Sequence, residues 1–123
     1  MGEVMVKTNN QMITLTVDGI LTREDAVALV AEFYPTLSGR GCLWDLRQCD
    51  VHQLTPRDLE AIALAVVEAS ASELTPKSAF VVADARAYAK VCAYLARGTR
   101  MRARVEAAVF TAEDEARRWI RAA

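Results

Sequence analysis

The chain has 123 residues, 53% hydrophobic and 25% charged, with a net charge of −1 at neutral pH. That length fits one domain, 1–123, whose core needs no metal or disulfide staple, and the composition excludes a disordered or collagen-like chain. No apolar run approaches the ~18 residues of a membrane span. Met1-Gly2-Glu3-Val4 lacks the basic-then-apolar order of a signal peptide, so a soluble, cytoplasmic protein is the expectation.

Val4 to Lys7 and Met12 to Val17 alternate, with Ile13, Leu15 and Val17 on one side and Met12, Thr14 and Thr16 on the other. This is the period of half-buried strands. Asn9-Asn10 between them tolerates positive φ, so the pair reads as an antiparallel hairpin. Thr22 opens a helix with Asp25 three residues on, apolar at Ala26, Val27, Val30, Phe33 and Tyr34, and Pro35 turns Tyr34 out of the helical region. Cys42 to Leu46 is a short apolar run without alternation, a buried parallel strand. Thr55-Pro56 starts a second helix, Thr as N-cap and Pro at the first position, with Leu59, Ile62, Ala63, Val66 and Val67 at amphipathic spacing. Ala79 to Ala83 is another buried strand. Asp84 caps a third helix with inner residues Tyr88, Val91, Cys92 and Leu95, and Gly98 ends it. Val105 to Phe110 forms the last strand. Thr111 caps a last helix, acidic in its first turn and basic at Arg117, Arg118 and Arg121.

The order ββαβαβαβα predicts an α/β domain: one mixed five-stranded sheet, an antiparallel hairpin and then parallel strands, with four helices. If sequence neighbours are sheet neighbours, right-handed crossovers put every helix on one face. Leu43, Trp44, Phe80, Val81 and Val82 are apolar on both faces, so something must cover the other. A second copy of the chain, a bound apolar ligand or a helix whose crossing departs from this order could cover it, and a homodimer is the expected cover.

Trp44-Asp45-Leu46 closing the third strand, and Val109-Phe110 followed by Ala116 and Trp119-Ile120, resemble the SpoIIAA-like proteins of the STAS superfamily. The resemblance implies a non-enzymatic module that binds and switches. In sporulation-type relatives an Asp-Ser-x-Gly at the start of the second helix carries a phosphorylated Ser. Gln53-Leu54-Thr55-Pro56 stands there instead, and leaves Thr55 as the nearest regulatory hydroxyl. Kinship with Sec14-type lipid-binding domains implies an apolar or amphipathic ligand, or a membrane surface. A STAS-like protein–protein regulator is the alternative.

Residues 1–85 carry 6 basic and 12 acidic side chains and residues 86–123 carry 9 and 4. The basic end reads as facing an acidic or membrane partner, or as one of two solvated faces. Within it, Arg97, Arg100, Arg102 and Arg104 form a loop able to grip anionic headgroups; an acidic pI near 5.8 with no interleaved aromatics argues against nucleic acid. Asp18, Asp45 and Asp84 end three strands at the edge where open sheets bind ligands. Asp18 belongs to a turn and Asp84 to a cap, which leaves Asp45 as the candidate ligand contact. Cys49 and His52 are half a metal site, and a closed zinc site takes four ligands. No catalytic motif, metal or cofactor is expected. The three cysteines, Cys42, Cys49 and Cys92, read as free, mostly buried thiols of a reducing compartment.

Overall fold

The computed structural model describes residues 2–69 and 76–122. Alternation builds β1 (Glu3–Thr8) and β2 (Met12–Ile20), paired antiparallel with Val6 opposite Leu15. Their turn is held by the Asn9 side chain, whose Oδ1 accepts from the backbone N–H of Gln11 at 2.8 Å and Met12 at 3.0 Å. Neither asparagine adopts the expected positive φ. The amide side chain does the work that a left-handed backbone would otherwise do.

Helix α1 (Arg23–Phe33) is capped by Thr22, whose Oγ1 accepts from Asp25 N–H at 3.2 Å. Tyr34 stays helical, with φ −62° and ψ −40°, and the chain tightens into a 3₁₀ turn, Tyr34–Thr36. The helix ends at Tyr34 as Pro35 suggests, but Tyr34 itself is not expelled from the helical region; burial of its ring overrides the local preference. Strand β3 (Gly41–Asp50) pairs parallel to β2 and runs four residues past the apolar segment, with a bulge between Thr16 and Asp18. Helix α2 (Pro56–Ala69) buries Leu59, Ile62, Ala63 and Val66, as its spacing predicts. Strand β4 (Lys77–Val81), helix α3 (Ala85–Arg100), strand β5 (Glu106–Phe110) and helix α4 (Glu113–Arg121) complete a mixed sheet of order β1-β2-β3-β4-β5. Strands from β2 onward are parallel.

The sheet carries two cores. On one face Ile13, Leu15, Val17, Trp44, Phe80 and Val82 pack under α1, α2 and α3. On the other, Met12, Leu43, Ala79 and Val81 are covered by Ala116 and Ile120 of α4. The expectation that all four helices share one face is therefore wrong for α4. The handedness rule constrains a helix that returns to a parallel strand, and no strand follows α4 among the described residues. With this face covered, the reason for expecting a second copy on it is gone.

Three local expectations also shift. Helix α3 buries Ala87 and Val91 and half-buries Tyr94 and Leu95, whereas Tyr88 and Cys92 are exposed. The buried stripe lies one residue earlier than the sequence suggests. The helix runs through Gly98 to Arg100 and closes in a Schellman turn: Arg102 N–H bonds Thr99 O at 3.1 Å and Ala103 N–H bonds Gly98 O at 3.0 Å. Arg102, at φ 57°, takes the left-handed position usually given to glycine. Finally, Ala112 and not Thr111 is the N-cap of α4, and it makes no side-chain bond.

Candidate anion-binding groove

Basic residues recur on α3 at 86, 90, 97 and 100, the i, i+4, i+11, i+14 pattern of one helical face. The apolar stripe of Ala87, Val91 and Tyr94 is turned to the sheet, so this basic face looks outward along the seam with α2. Arg23 from the start of α1 and Arg57 from the first turn of α2 meet Arg97 and Arg100 across a groove of about 600 Å³, with Glu60, Ala61, Leu64 and Met101. A second hollow of about 410 Å³ continues it past Arg97 to Arg86, Lys90 and His52. Among the described residues, Glu60 is the only carboxylate lining either hollow.

The local pairings leave this charge largely unspent. Arg23 is shared between Glu24 at 3.3 Å and Asp58 at 3.7 Å. Arg57 and Arg100 have no ion pair among the described residues. Arg97 donates from Nη1 to Ala93 O at 3.0 Å. Its buried Nε has no hydrogen-bond partner among the described residues and stands 4.0 Å from Glu60 Oε1. Arg97, with 18% of its side chain exposed, thus spends Nη1 on the helix and sets its buried Nε toward Glu60. Lys90 crosses the seam to donate to Leu54 O at 2.7 Å, which ties α3 to the approach of α2.

Not all the predicted contact residues gather here. Arg97 and Arg100 line the groove, whereas the Schellman turn carries Arg102 and Arg104 away from it, and both are exposed. Asp45 lies on the opposite face of the sheet. Arg47 grips it through Nε at 2.9 Å and Nη2 at 2.8 Å, then reaches Glu113 at 2.7 Å, and Glu113 bonds Arg117 at 2.6 Å. The Arg47 hydrogen bonds hold the Asp45 carboxyl below its ordinary range. This network fastens the start of α4 to β3. Asp84 is occupied as the cap of α3, accepting from Ala87 N–H at 2.8 Å. Among the described residues, no group of His, Cys, Asp or Glu side chains is arranged to hold a metal, Cys49 and His52 included.

Thr55 is an exposed cap of α2 in a reciprocal box: Asp58 N–H donates to Thr55 Oγ1 at 3.2 Å and Thr55 N–H to Asp58 Oδ2 at 2.9 Å. Arg23, Arg57, Arg86 and Lys90 were missed as site residues in the sequence. The α3 periodicity was a readable signal for Arg86 and Lys90; nothing local marks Arg23 or Arg57. For an apolar ligand, the main core leaves a pocket of about 50 Å³ beneath Trp44, Leu59 and Phe80. That is room for one or two waters, not for a lipid tail.

No protein-family model matches the chain, and no curated protein matches it. Among solved structures it is similar to an uncharacterised protein of the DUF3478 family with a SpoIIAA-like fold from Shewanella loihica PV-4. The two share 14% sequence identity and superpose with a TM-score of 0.56, over 97% of this chain and 93% of that one. The fold is SpoIIAA-like. A likeness at this identity establishes the fold alone.

Proposed function

We propose that the chain is a non-enzymatic docking module of SpoIIAA-like type that engages an anionic, amphipathic surface, a membrane with acidic headgroups, through the α2–α3 groove. The observation that carries this reading is the convergence of Arg23, Arg57, Arg97 and Arg100, with Arg86 and Lys90 beyond them, against one lining carboxylate among the described residues. Each basic residue near an anionic surface contributes about 1 kcal/mol. Leu64, 47% exposed on the groove wall, supplies an apolar contact beside the charges. No helix among the described residues is long and apolar enough to cross a membrane, so attachment would be peripheral.

The test is flotation with vesicles of neutral lipid, with and without a third of phosphatidylserine. The parent protein should float only with the acidic vesicles, less so as salt rises. Arg57→Glu combined with Arg100→Glu should weaken flotation by tenfold or more, at a melting temperature within a few degrees of the parent's, because exposed charges contribute little to stability. Arg102→Glu with Arg104→Glu, outside the groove, should do less. No flotation by the parent protein, or equal losses in both pairs, would overturn the reading. The concavity of the groove favours a second reading if flotation fails: an acidic helix of a partner protein laid along it, in the STAS manner.

A further inference from the structure

Below the C-terminal half of α3 lies a chamber of about 220 Å³ that shares no wall residue with the groove. Its walls mix apolar side chains, including Val66 of α2, Phe80 of β4, Val105 just before β5 and Ala107 within it, with the polar Ser78, Tyr94 and Thr99, and no charged side chain lines it among the described residues. Ser78, 1% exposed, is its polar contact in the sheet. A chain of hydrogen bonds ends on that hydroxyl: Trp44 Nε1–H donates to Tyr34 Oη at 3.1 Å, and Tyr34 Oη lies 2.7 Å from Ser78 Oγ. Either hydroxyl can donate in this pair; the phenol, the stronger acid, is the better donor to Ser78 Oγ. With the tyrosine donating, the Ser78 proton faces the chamber and has no other acceptor among the described residues.

A second observation concerns Gly98, which lines the same chamber inside α3. Glycine there costs the helix about 1 kcal/mol relative to alanine. Packing does not demand it, since a Cβ would meet nothing closer than Ala103 Cβ at 4.0 Å. Its φ is not positive either. The helix forgoes stability at a position where the missing side chain leaves the chamber open.

We infer that this chamber is a binding site for a small, neutral organic molecule, of about the size of a substituted benzene, that presents one oxygen to the Ser78 hydroxyl. An apolar cavity of about 150 Å³ takes benzene, so this one has room for a ring and a short substituent. A charged ligand would be buried without a counter-ion, which is strongly unfavourable.

Three probes of similar size test it: benzyl alcohol, toluene and benzoate, titrated against protein labelled at Val and Ala methyl groups. Benzyl alcohol should shift the Val66, Val105 and Ala107 signals and bind about fivefold tighter than toluene, the worth of one hydrogen bond. Benzoate should leave those signals in place. Ser78→Ala should bring benzyl alcohol down to the affinity of toluene, and Ala107→Leu should remove both by filling the space. Should Ser78→Ala fail to fold, the order of the three probes on the parent protein still decides. If no probe moves these methyl signals, the chamber holds water alone and the inference falls. It falls equally if benzoate binds best, or if Ser78→Ala keeps the preference for the alcohol. Failure here leaves the groove untouched, because the vesicle measurement reads different residues.

Discussion

Cys42, Cys49 and Cys92 occupy three environments: buried, half-buried and exposed. All are free, as an odd number without paired spacing suggests, but the expectation that most are buried holds only for Cys42. Cys92 looks apolar in a helical pattern, yet the rotation of α3 puts Ala87, Val91 and Tyr94 inward and turns this thiol to solvent. Burial pushes the Cys42 thiol up to about 12. Burial, with the charge of Asp50 adding to it, pushes Cys49 up to about 11. Two units above the ordinary value leave about a hundredfold less thiolate. Iodoacetamide at pH 8 should therefore modify Cys92 first and Cys49 at least tenfold more slowly, while Cys42 reacts only on unfolding. Peptide mass mapping over time checks the order, and unfolded, unreduced protein should yield three thiols. Reaction of Cys42 at the rate of Cys92 would mean that the main core opens readily.

At the scale of elements, α4 is the helix whose position was least readable and whose attachment is most specific. Its first turn is held by the Asp45–Arg47–Glu113–Arg117 network. Its last turn is held by Lys77, whose Nζ donates to Trp119 O at 2.9 Å and Ala122 O at 2.7 Å and lies 5.2 Å from the centre of the Trp119 ring. Between the ends, Ile120 seats against Gly41 so closely that a Cβ there would come within 2.5 Å of Ile120 Cγ2. Gly41 is thus a matter of close approach between helix and strand. Gly41→Val should displace Ile120 and destabilise the protein by roughly 1–3 kcal/mol, the usual penalty for overpacking, with a change in the near-ultraviolet signal of Trp119. Urea unfolding of the variant checks it; a midpoint equal to the parent's would mean that α4 is not seated as described.

At the scale of the whole molecule, covering the second face changes the expected assembly. Leaving Leu43 and Val81 in water would cost roughly 1.5–3 kcal/mol for each large side chain; α4 buries both. The apolar groups that remain exposed on the sheet are Val4, Met5 and Val6 on the β1 edge, flanked by Glu3 and Lys7. A short edge strand with flanking charges is a familiar guard against pairing. Sedimentation at micromolar concentration should give a monomer. A dimer would place the contact on β1, and Val6→Lys would then dissociate it.

Element order, strand alternation and the caps at Thr22, Thr55 and Asp84 were determined by the sequence itself, because each depends on residues a few positions apart. The period of two or of 3.6 is written locally, and so is a hydroxyl or carboxylate three residues before the N–H it accepts from. Where local signals compete, they misled: Gly98 looked like a helix end, but Arg102 makes the turn. The groove was half legible, as the basic stripe of α3, while its other wall was not. Arg23 and Arg57 reach Arg97 and Arg100 only through the packing of α1 on α2 and α2 on α3, set by buried faces that carry no information about the charges opposite them. The side of the sheet taken by α4 was likewise decided by the tertiary structure, since the crossover rule binds only a helix that returns to a parallel strand, none follows α4 among the described residues, and the helix goes where uncovered apolar surface and Gly41 let it seat.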